Sequence, residues 1–312
     1  MPAHVFVIGG GRWARVYLGV LNELLPAHAT MSIHTARGVE VTTGWVVERG
    51  LAGRIEVTAE KLQPRAHAVA IIANAAADHA AAAGRALECG IPVLLEKPLA
   101  PTFAEASRLV EKARMCKAIL APSQVFLFAR YLENFASRLR AAGRLNSLTL
   151  KWVDPKIEIR HGEEKRFDAG LPIQADVLPH IVPVIEMLTG VLPEAGGARS
   201  GHDGLVLNMT LTAGGVPCAL HLERAGAARS RIVEAMTESG PVRLDFSSEP
   251  GTIWQDDVST DADPDWAHAP RPLARMLAAF FKLALGNVPD ERFGTAAALK
   301  AMALSDLATS HP

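Results

Sequence analysis

At 312 residues, with 49% hydrophobic and 21% charged side chains, the chain has the length for about two domains and the apolar content for sizeable cores, which argues against long disordered stretches. A formal net charge of -1 without a dense run of lysine or arginine argues against a polyanionic partner such as nucleic acid. Three widely spaced cysteines, Cys89, Cys116 and Cys218, fit neither a disulfide framework nor a paired-cysteine metal site.

The chain runs directly into residues 5–8, Val-Phe-Val-Ile, and then into glycines, with no basic region or small-residue cleavage site of a secretory leader. No stretch reaches the ~18 consecutive apolar residues of a membrane span. The alanine-rich stretch after Ala75 is broken by Asp78, His79, Gly84 and Arg85. A soluble, cytoplasmic protein with a small-molecule ligand is expected.

Residues 5–8 read as a first strand. After the glycines, Tyr17, Leu18, Leu21, Leu24 and Leu25 recur at helical spacing until Pro26 stops them, and residues 30–34 read as a second strand. Residues 69–73 form a later strand, residues 80–89 look helical and end at Gly90, and residues 92–96 follow as another strand. Thr102, with Glu105 three residues on, has the form of a capping box opening a helix. Strands alternating with helices in this order predict an α/β domain, a doubly wound parallel sheet, over residues 1–121.

From about Ser147 the hydrophobic period falls from 3.6 to 2: Leu148, Leu150 and Trp152 alternate with Thr149, Lys151 and Val153. Leu205, Leu207, Met209 and Leu211 line one face, Gly214-Gly215 makes a turn, and Val216, Cys218, Leu220 and Leu222 line the same face coming back. A second hairpin joins residues 232–236 to 242–246 through Ser239-Gly240-Pro241. Residues 273–285 and 295–307 read as closing helices, and the polar, proline-bearing stretch 256–272 as a surface loop. The expectation is an α+β domain over residues 122–312 with an open, largely antiparallel sheet, its C-terminal helices counted with it or packing back on the first domain.

In Gly9-x-Gly11-x-x-Ala14 the first glycine permits a tight turn, the second lets the backbone approach a pyrophosphate, and the small third residue lets helix and strand pack closely. Its position between a first strand and a helix predicts a Rossmann-type dinucleotide site, with the phosphates on the N-terminus of the helix that Arg12, Trp13 and Ala14 open. About 20 residues further on, where an acidic residue would hold the ribose 2′-hydroxyl of NAD, stand His34, Thr35 and Arg37. No carboxylate is there to repel a 2′-phosphate, and Arg37, helped by Thr35 or His34, could bind it. NADP(H) is expected over NAD(H).

Glu96-Lys97-Pro98 ends the strand 92–96, where a parallel strand's carboxyl end borders the ligand crevice. An ammonium there can stabilise a developing alkoxide or donate a proton. Asp176 and His180 stand four apart, on one face of a helix about a turn from each other, so the carboxylate can fix the tautomer of an imidazole that takes or returns a hydroxyl proton. The bland readings are a surface lysine before a turn proline, and a capping aspartate with a half-buried histidine. Asp78-His79 reads as a helix start, since no further ligand follows at metal spacing; no metal is expected. Ser123 and Gln124, just past a strand, could border the nicotinamide. The charged segment from Lys156 to Asp168, with Arg160, His161, Lys165 and Arg166, reads as a solvated face rather than a substrate contact.

Over nearly its whole length the chain resembles the glucose-fructose oxidoreductase, inositol dehydrogenase and rhizopine catabolism (Gfo/Idh/MocA) family. The likeness rests on Val7-Ile8-Gly9-Gly10-Gly11-Arg12-Trp13-Ala14, Ile71-Ile72-Ala73-Asn74 with His79, Leu95-Glu96-Lys97-Pro98-Leu99, Asp176-x-x-x-His180 before Leu188-Thr189-Gly190, and Gly240 to Phe246 as the end of the sheet. The resemblance implies a two-domain enzyme with the substrate between the domains, Lys97 polarising it, Asn74 contacting the cofactor with Trp13 covering it, and an often cis bond before Pro98. It also implies a homodimer or homotetramer formed through the second sheet. Pro183 stands where sugar dehydrogenases commonly carry an aspartate, and residues 170–175 replace a glycine-rich turn; both set the chain apart from simple sugar and inositol enzymes. A reductase of C=N bonds, of the thiazolinyl imine type, and a non-catalytic dinucleotide-sensing regulator remain the alternative readings; joint retention of Lys97, Asp176 and His180 argues against the sensor.

Overall fold

The computed structural model describes residues 1–160, 163–164, 168, 170–286 and 288–309. Of the charged segment singled out above, His161, Lys165 and Arg166 lie outside the described residues. The chain divides into two compact units, Met1–Ser123 with Leu273–Thr295, and Gln124–Pro272 with Ala296–Pro312.

The first unit begins β1 (His4–Ile8), α1 (Arg12–Leu24), β2 (Thr30–His34), α2 (Val39–Glu48), β3 (Ile55–Thr58) and β4 (Ala68–Ile72). It continues α3 (His79–Glu88), β5 (Val93–Leu95), α4 (Phe103–Met115) and β6 (Leu120–Pro122). Six parallel strands lie in the order β3-β2-β1-β4-β5-β6, so the winding reverses between β1 and β4. Helices on both faces bury the central strands, which is why β4 reads as one unbroken apolar run, Ala-Val-Ala-Ile-Ile, with every residue buried. Ala14, Tyr17, Leu18 and Leu21 form the buried stripe of α1. Beyond its last turn, Arg54 donates to the carbonyls of Asn22, Leu25 and Pro26, each at 2.7 Å, which satisfies acceptors that a helix end leaves open. Thr102 caps α4 as expected, its hydroxyl accepting from the Glu105 N–H at 3.3 Å.

The second unit holds α5 (Arg130–Ala141), β7 (Leu145–Pro155), the short pair β8 (Ile159–Arg160) and β9 (Glu163–Glu164), α6 (Ile173–Thr189), β10 (Glu194–Gly201), β11 (Val206–Ala213) and β12 (Val216–Gly226). Then come β13 (Ser230–Thr237), β14 (Gly240–Asp245), β15 (Thr252–Gln255) and β16 (Val258–Asp261). Of the closing helices, α7 (Pro272–Gly286) falls in the first unit from Leu273 on, whereas α8 (Ala296–Thr309) stays with the second. Eight strands run β10-β11-β12-β7-β13-β14-β15-β16, antiparallel except for β12 beside β7. Leu148, Leu150, Leu207, Met209, Leu211, Leu220, Leu222, Val233 and Leu244 from one sheet face pack with Val177, Leu178, Ile181, Val182 and Ile185 of α6 in a single core.

Three expectations are corrected here. The stretch 256–272 is not a loop throughout: its first part is the edge strand β16, and Ala262 and Asp263 beyond it are buried. The sheet therefore does not end at Phe246. Leu205 precedes the strand, which starts at Val206 after a 3-10 turn, although its carbonyl still accepts the Arg224 N–H of β12 at 2.8 Å. Among the described residues no helix is long and apolar enough to cross a membrane, no group of three or more His, Cys, Asp or Glu could hold a metal ion, and Cys89, Cys116 and Cys218 are free.

Candidate dinucleotide site and acid–base residues

The carboxyl ends of β1, β4, β5 and β6 are laced together by backbone bonds: Ala73 N–H to Ile8 O at 2.8 Å, Glu96 N–H to Ile72 O at 2.9 Å, and Ser123 N–H to Leu95 O at 2.8 Å. Gly9, at φ +126°, turns the chain out of β1 so closely over β4 that a Cβ would stand 2.6 Å from the Ala73 carbonyl oxygen and 2.8 Å from the Asn74 nitrogen. Gly10, unremarked in the sequence motif, is as constrained, since its Cβ would lie 2.6 Å from Thr35 Oγ1. Gly11 differs: a Cβ there meets nothing within 4 Å. It is the N-cap of α1, with no side-chain cap and no acidic residue in the first turn, so the helix amides are left for an anion. Ala14 is fully buried behind them, and the Arg12 guanidinium lies 5.2 Å from the ring centre of the exposed Trp13. An open glycine at an uncapped helix N-terminus fits a dinucleotide pyrophosphate.

At the end of β2 the three ribose-side candidates separate. His34 is engaged on both ring nitrogens, Nδ1 with Glu60 O at 2.9 Å and Nε2 with Ser32 Oγ at 3.0 Å. Thr35 is buried beneath the glycine turn and donates its hydroxyl to Arg37 O at 2.6 Å. Both thus shape the loop, and Arg37 is the exposed member of the trio.

Glu96, Lys97 and Pro98 follow β5, with a cis Lys97–Pro98 bond as the resemblance implies. Glu96 is buried. Its Oε1 accepts from Tyr17 at 2.5 Å and from Ser123 at 2.8 Å, and its Oε2 accepts the Lys97 backbone N–H at 3.2 Å. Burial and then the charge on Glu96 hold the Tyr17 phenol well above its ordinary value. On the other side, His79 Nδ1 lies 2.6 Å from Pro98 O and Nε2 lies 3.1 Å from Asn74 O. Burial pushes His79 below its ordinary value, and a neutral ring donates from one nitrogen only, which the shorter contact assigns to Nδ1. The sequence's helix-start histidine therefore donates to the Lys97–Pro98 turn, while its unprotonated Nε2 only abuts the Asn74 carbonyl.

Lys97 belongs to the first unit, and Asp176 and His180 to the second. They are half-exposed positions of a helix otherwise buried from Ile173 to Ile185, so the i, i+4 spacing does put them on one face. Asp176 is also paired with Arg224: Nη2 lies 3.0 Å from its carboxylate while Nη1 donates to Leu171 O at 2.8 Å. The His180 ring stacks on Trp152 at 5.3 Å and 17°, and Phe126 meets it edge-on at 5.1 Å. The buried Arg231 guanidinium lies 3.8 Å from the Trp152 ring centre and is paired with Asp154; burial brings it down to about 10. Sequence reasoning missed Arg224 and Arg231. The available signal was a charged residue in the buried phase of an alternating strand, Arg224 after Leu220 and Leu222, and Arg231 before Val233 and Ala235.

Residues 3–123 match the oxidoreductase family with the NAD-binding Rossmann fold, Gfo/Idh/MocA. The match spans β1 to β6 of the first unit. The chain is accordingly an NAD(P)-dependent oxidoreductase. No curated protein matches it significantly. Among solved structures, a 3-ketoreductase from Actinomadura kijaniata, in complex with TDP-benzene and NADP, is 22% identical with a TM-score of 0.80, covering 99% of this chain and 98% of that one. The UDP-N-acetylglucosamine 3-dehydrogenase from Acidithiobacillus ferrooxidans is 17% identical with a TM-score of 0.75, covering 99% and 97%. A putative oxidoreductase from Magnetospirillum magnetotacticum is 17% identical with a TM-score of 0.71, covering 97% and 98%. At these identities the likeness establishes a shared fold along the whole chain.

Proposed function

We propose that the protein is an NADP(H)-preferring reductase or dehydrogenase acting at a hydroxyl/carbonyl carbon of a sugar carried on a nucleoside diphosphate. The observation that carries the reading is the open, uncapped Gly11 turn on the same sheet edge as the Lys97 turn. The NADP preference is supported by the lack of a carboxylate at the end of β2 and by the exposed Arg37. The substrate class is supported by the full-length fold shared with a 3-ketoreductase and a sugar-nucleotide 3-dehydrogenase.

When bound, the nicotinamide supplies or accepts the hydride. Gly9, Gly11, Arg12, Trp13 and Ala14 would hold the pyrophosphate end, Arg37 the 2′-phosphate, and Asn74, Glu96 and Pro98 the reactive end. The Lys97 ammonium polarises the carbonyl oxygen and stabilises its developing negative charge. His180, its plane set by Trp152 and Phe126, returns the proton in reduction and removes it in oxidation, with Asp176 beside it. The outward face of the second sheet, where Met236 and Trp254 are exposed, would pair with a second copy of the chain in a dimer or tetramer, and the compartment would be the cytoplasm. Nucleoside-diphosphate sugars and their 3-keto forms, tested beside free sugars, ketones and imines by nicotinamide absorbance, examine the reading. Turnover confined to sugar nucleotides is expected; turnover of imines alone would overturn it.

A further inference from the structure

The half-exposed His180 imidazole belongs to a stack that ends on a buried charge. His180 lies on the Trp152 indole at 5.3 Å and 17°, and the Arg231 guanidinium carbon lies 3.8 Å from the centre of the same indole. Arg231 is 1% exposed, in a core where an arginine is rarely found without a specific partner. It stands directly across from Trp152 in the register of β13 on β7, so both side chains leave the same face of the sheet. Its Nη2 donates to the Asp154 carboxylate, its Nη1 to the carbonyls of Val153 and Ser230, and its backbone N–H to Ser247 Oγ at 2.9 Å. Side-chain bonds of this kind lie in the guanidinium plane and leave the flat face for the indole. Phe126 meets the indole edge-on at 5.4 Å and 89°, and Phe246 at 6.4 Å and 73°, so the ring is bounded on its other sides by apolar groups. An arginine needed only to neutralise Asp154 has no reason to lie flat on Trp152, the ring that carries His180.

We infer that Arg231 is a positioning residue for the acid–base histidine: its guanidinium clamps the Trp152 indole, and the indole fixes the plane in which His180 moves its proton. The inference rests on the role proposed for His180. Asp154 takes part only by supplying an acceptor that holds the guanidinium flat.

The test reads the histidine directly, in the full-length protein without substrate. Proton–carbon spectra of histidine-labelled protein, with His180 assigned through His180→Gln, show the upfield displacement that an indole imposes on a ring stacked over it. Arg231→Lys keeps the charge beside Asp154 but has no planar group to cover the indole, so the displacement should be largely lost. Asp154→Asn keeps an acceptor for Nη2 and should leave the His180 signals in place. Unchanged signals in Arg231→Lys, or the same loss in both variants, would overturn the inference. If Arg231→Lys does not fold, the double variant Arg231→Met with Asp154→Asn serves, because no buried carboxylate is left unpaired. There, loss of the displacement supports the inference and its persistence overturns it. In steady-state assays with a sugar nucleotide and NADPH, Arg231→Lys should lower kcat at least about tenfold with KM within about threefold of wild type, as a misplaced proton-transfer group would. A raised KM at the wild-type kcat would overturn the positioning role. Failure of the wild type to turn over any sugar nucleotide would instead overturn the proposed function, and the spectra would still decide whether Arg231 holds His180.

Discussion

The two glycines of the first turn should fail in opposite ways when given a methyl group. In Gly9→Ala the new Cβ would stand 2.6 Å from the Ala73 carbonyl oxygen and 2.8 Å from the Asn74 nitrogen, both backbone atoms, at a φ of +126°. Strain of about 1–3 kcal/mol for the backbone conformation and a similar cost for overpacking give roughly 4 kcal/mol. That is a large share of the ~5–15 kcal/mol typical of a folded domain. In Gly11→Ala the methyl meets nothing within 4 Å, and φ -81° with ψ -177° suits alanine. The fold should lose only about 1 kcal/mol, the advantage that glycine holds over alanine at an N-cap. The same methyl would occupy the space of the pyrophosphate, so NADPH binding should weaken at least about tenfold, or ~1.4 kcal/mol. Urea unfolding followed by circular dichroism gives the first quantity, and NADPH fluorescence titration the second. Wild-type NADPH affinity in a folded Gly11→Ala protein would refute the placement of the phosphates on this turn. Wild-type stability of Gly9→Ala would refute the packing of β1 on β4.

Arg37→Ala should weaken NADPH about 10- to 100-fold and leave NADH within about twofold, as expected for losing a charge-assisted phosphate contact, checked by paired fluorescence titrations. Burial, with added repulsion from Arg65 and His34, holds His4 down at about 4. Because its folded value lies below the ~6.5 of the unfolded chain, its contribution to stability is complete above ~6.5 and falls away as pH drops towards 4, by about 2–3 kcal/mol. Unfolding free energies of wild type and His4→Gln across that window should show the slope in wild type alone. Arg224→Ala leaves Asp176 without its buried cation and Leu171 O without a donor, and should cost about 3 kcal/mol by denaturant unfolding; Arg224→Lys should recover only part of it.

Where strands are buried on both faces and glycines punctuate them, the chain was legible: the second strand, Thr30–His34, has the bounds its residues suggest. Helix α2 escaped notice because its Val, Thr and Gly residues favour other conformations and only Thr42 and Val46 are buried, leaving almost no amphipathic signal. Strand β10, Glu-Ala-Gly-Gly-Ala-Arg-Ser-Gly, lies exposed at a sheet edge, so its pairing leaves no hydrophobic trace. At the candidate site, Gly9, Lys97 and the Asp176–His180 face could be read locally. The partners that hold them could not, since Tyr17 meets Glu96, Arg224 meets Asp176 and Trp152 meets His180 across long separations that only the fold brings together.

The central claim is that Lys97 and His180 carry the chemistry on a dinucleotide held elsewhere. Steady-state turnover of a sugar nucleotide by wild type, Lys97→Ala and His180→Ala, with NADPH dissociation constants measured beside it, tests this most directly. The account predicts at least about a 100-fold fall in turnover for both variants, with cofactor affinity within about threefold of wild type. Turnover near the wild-type rate in Lys97→Ala, with the cofactor still bound, would contradict it.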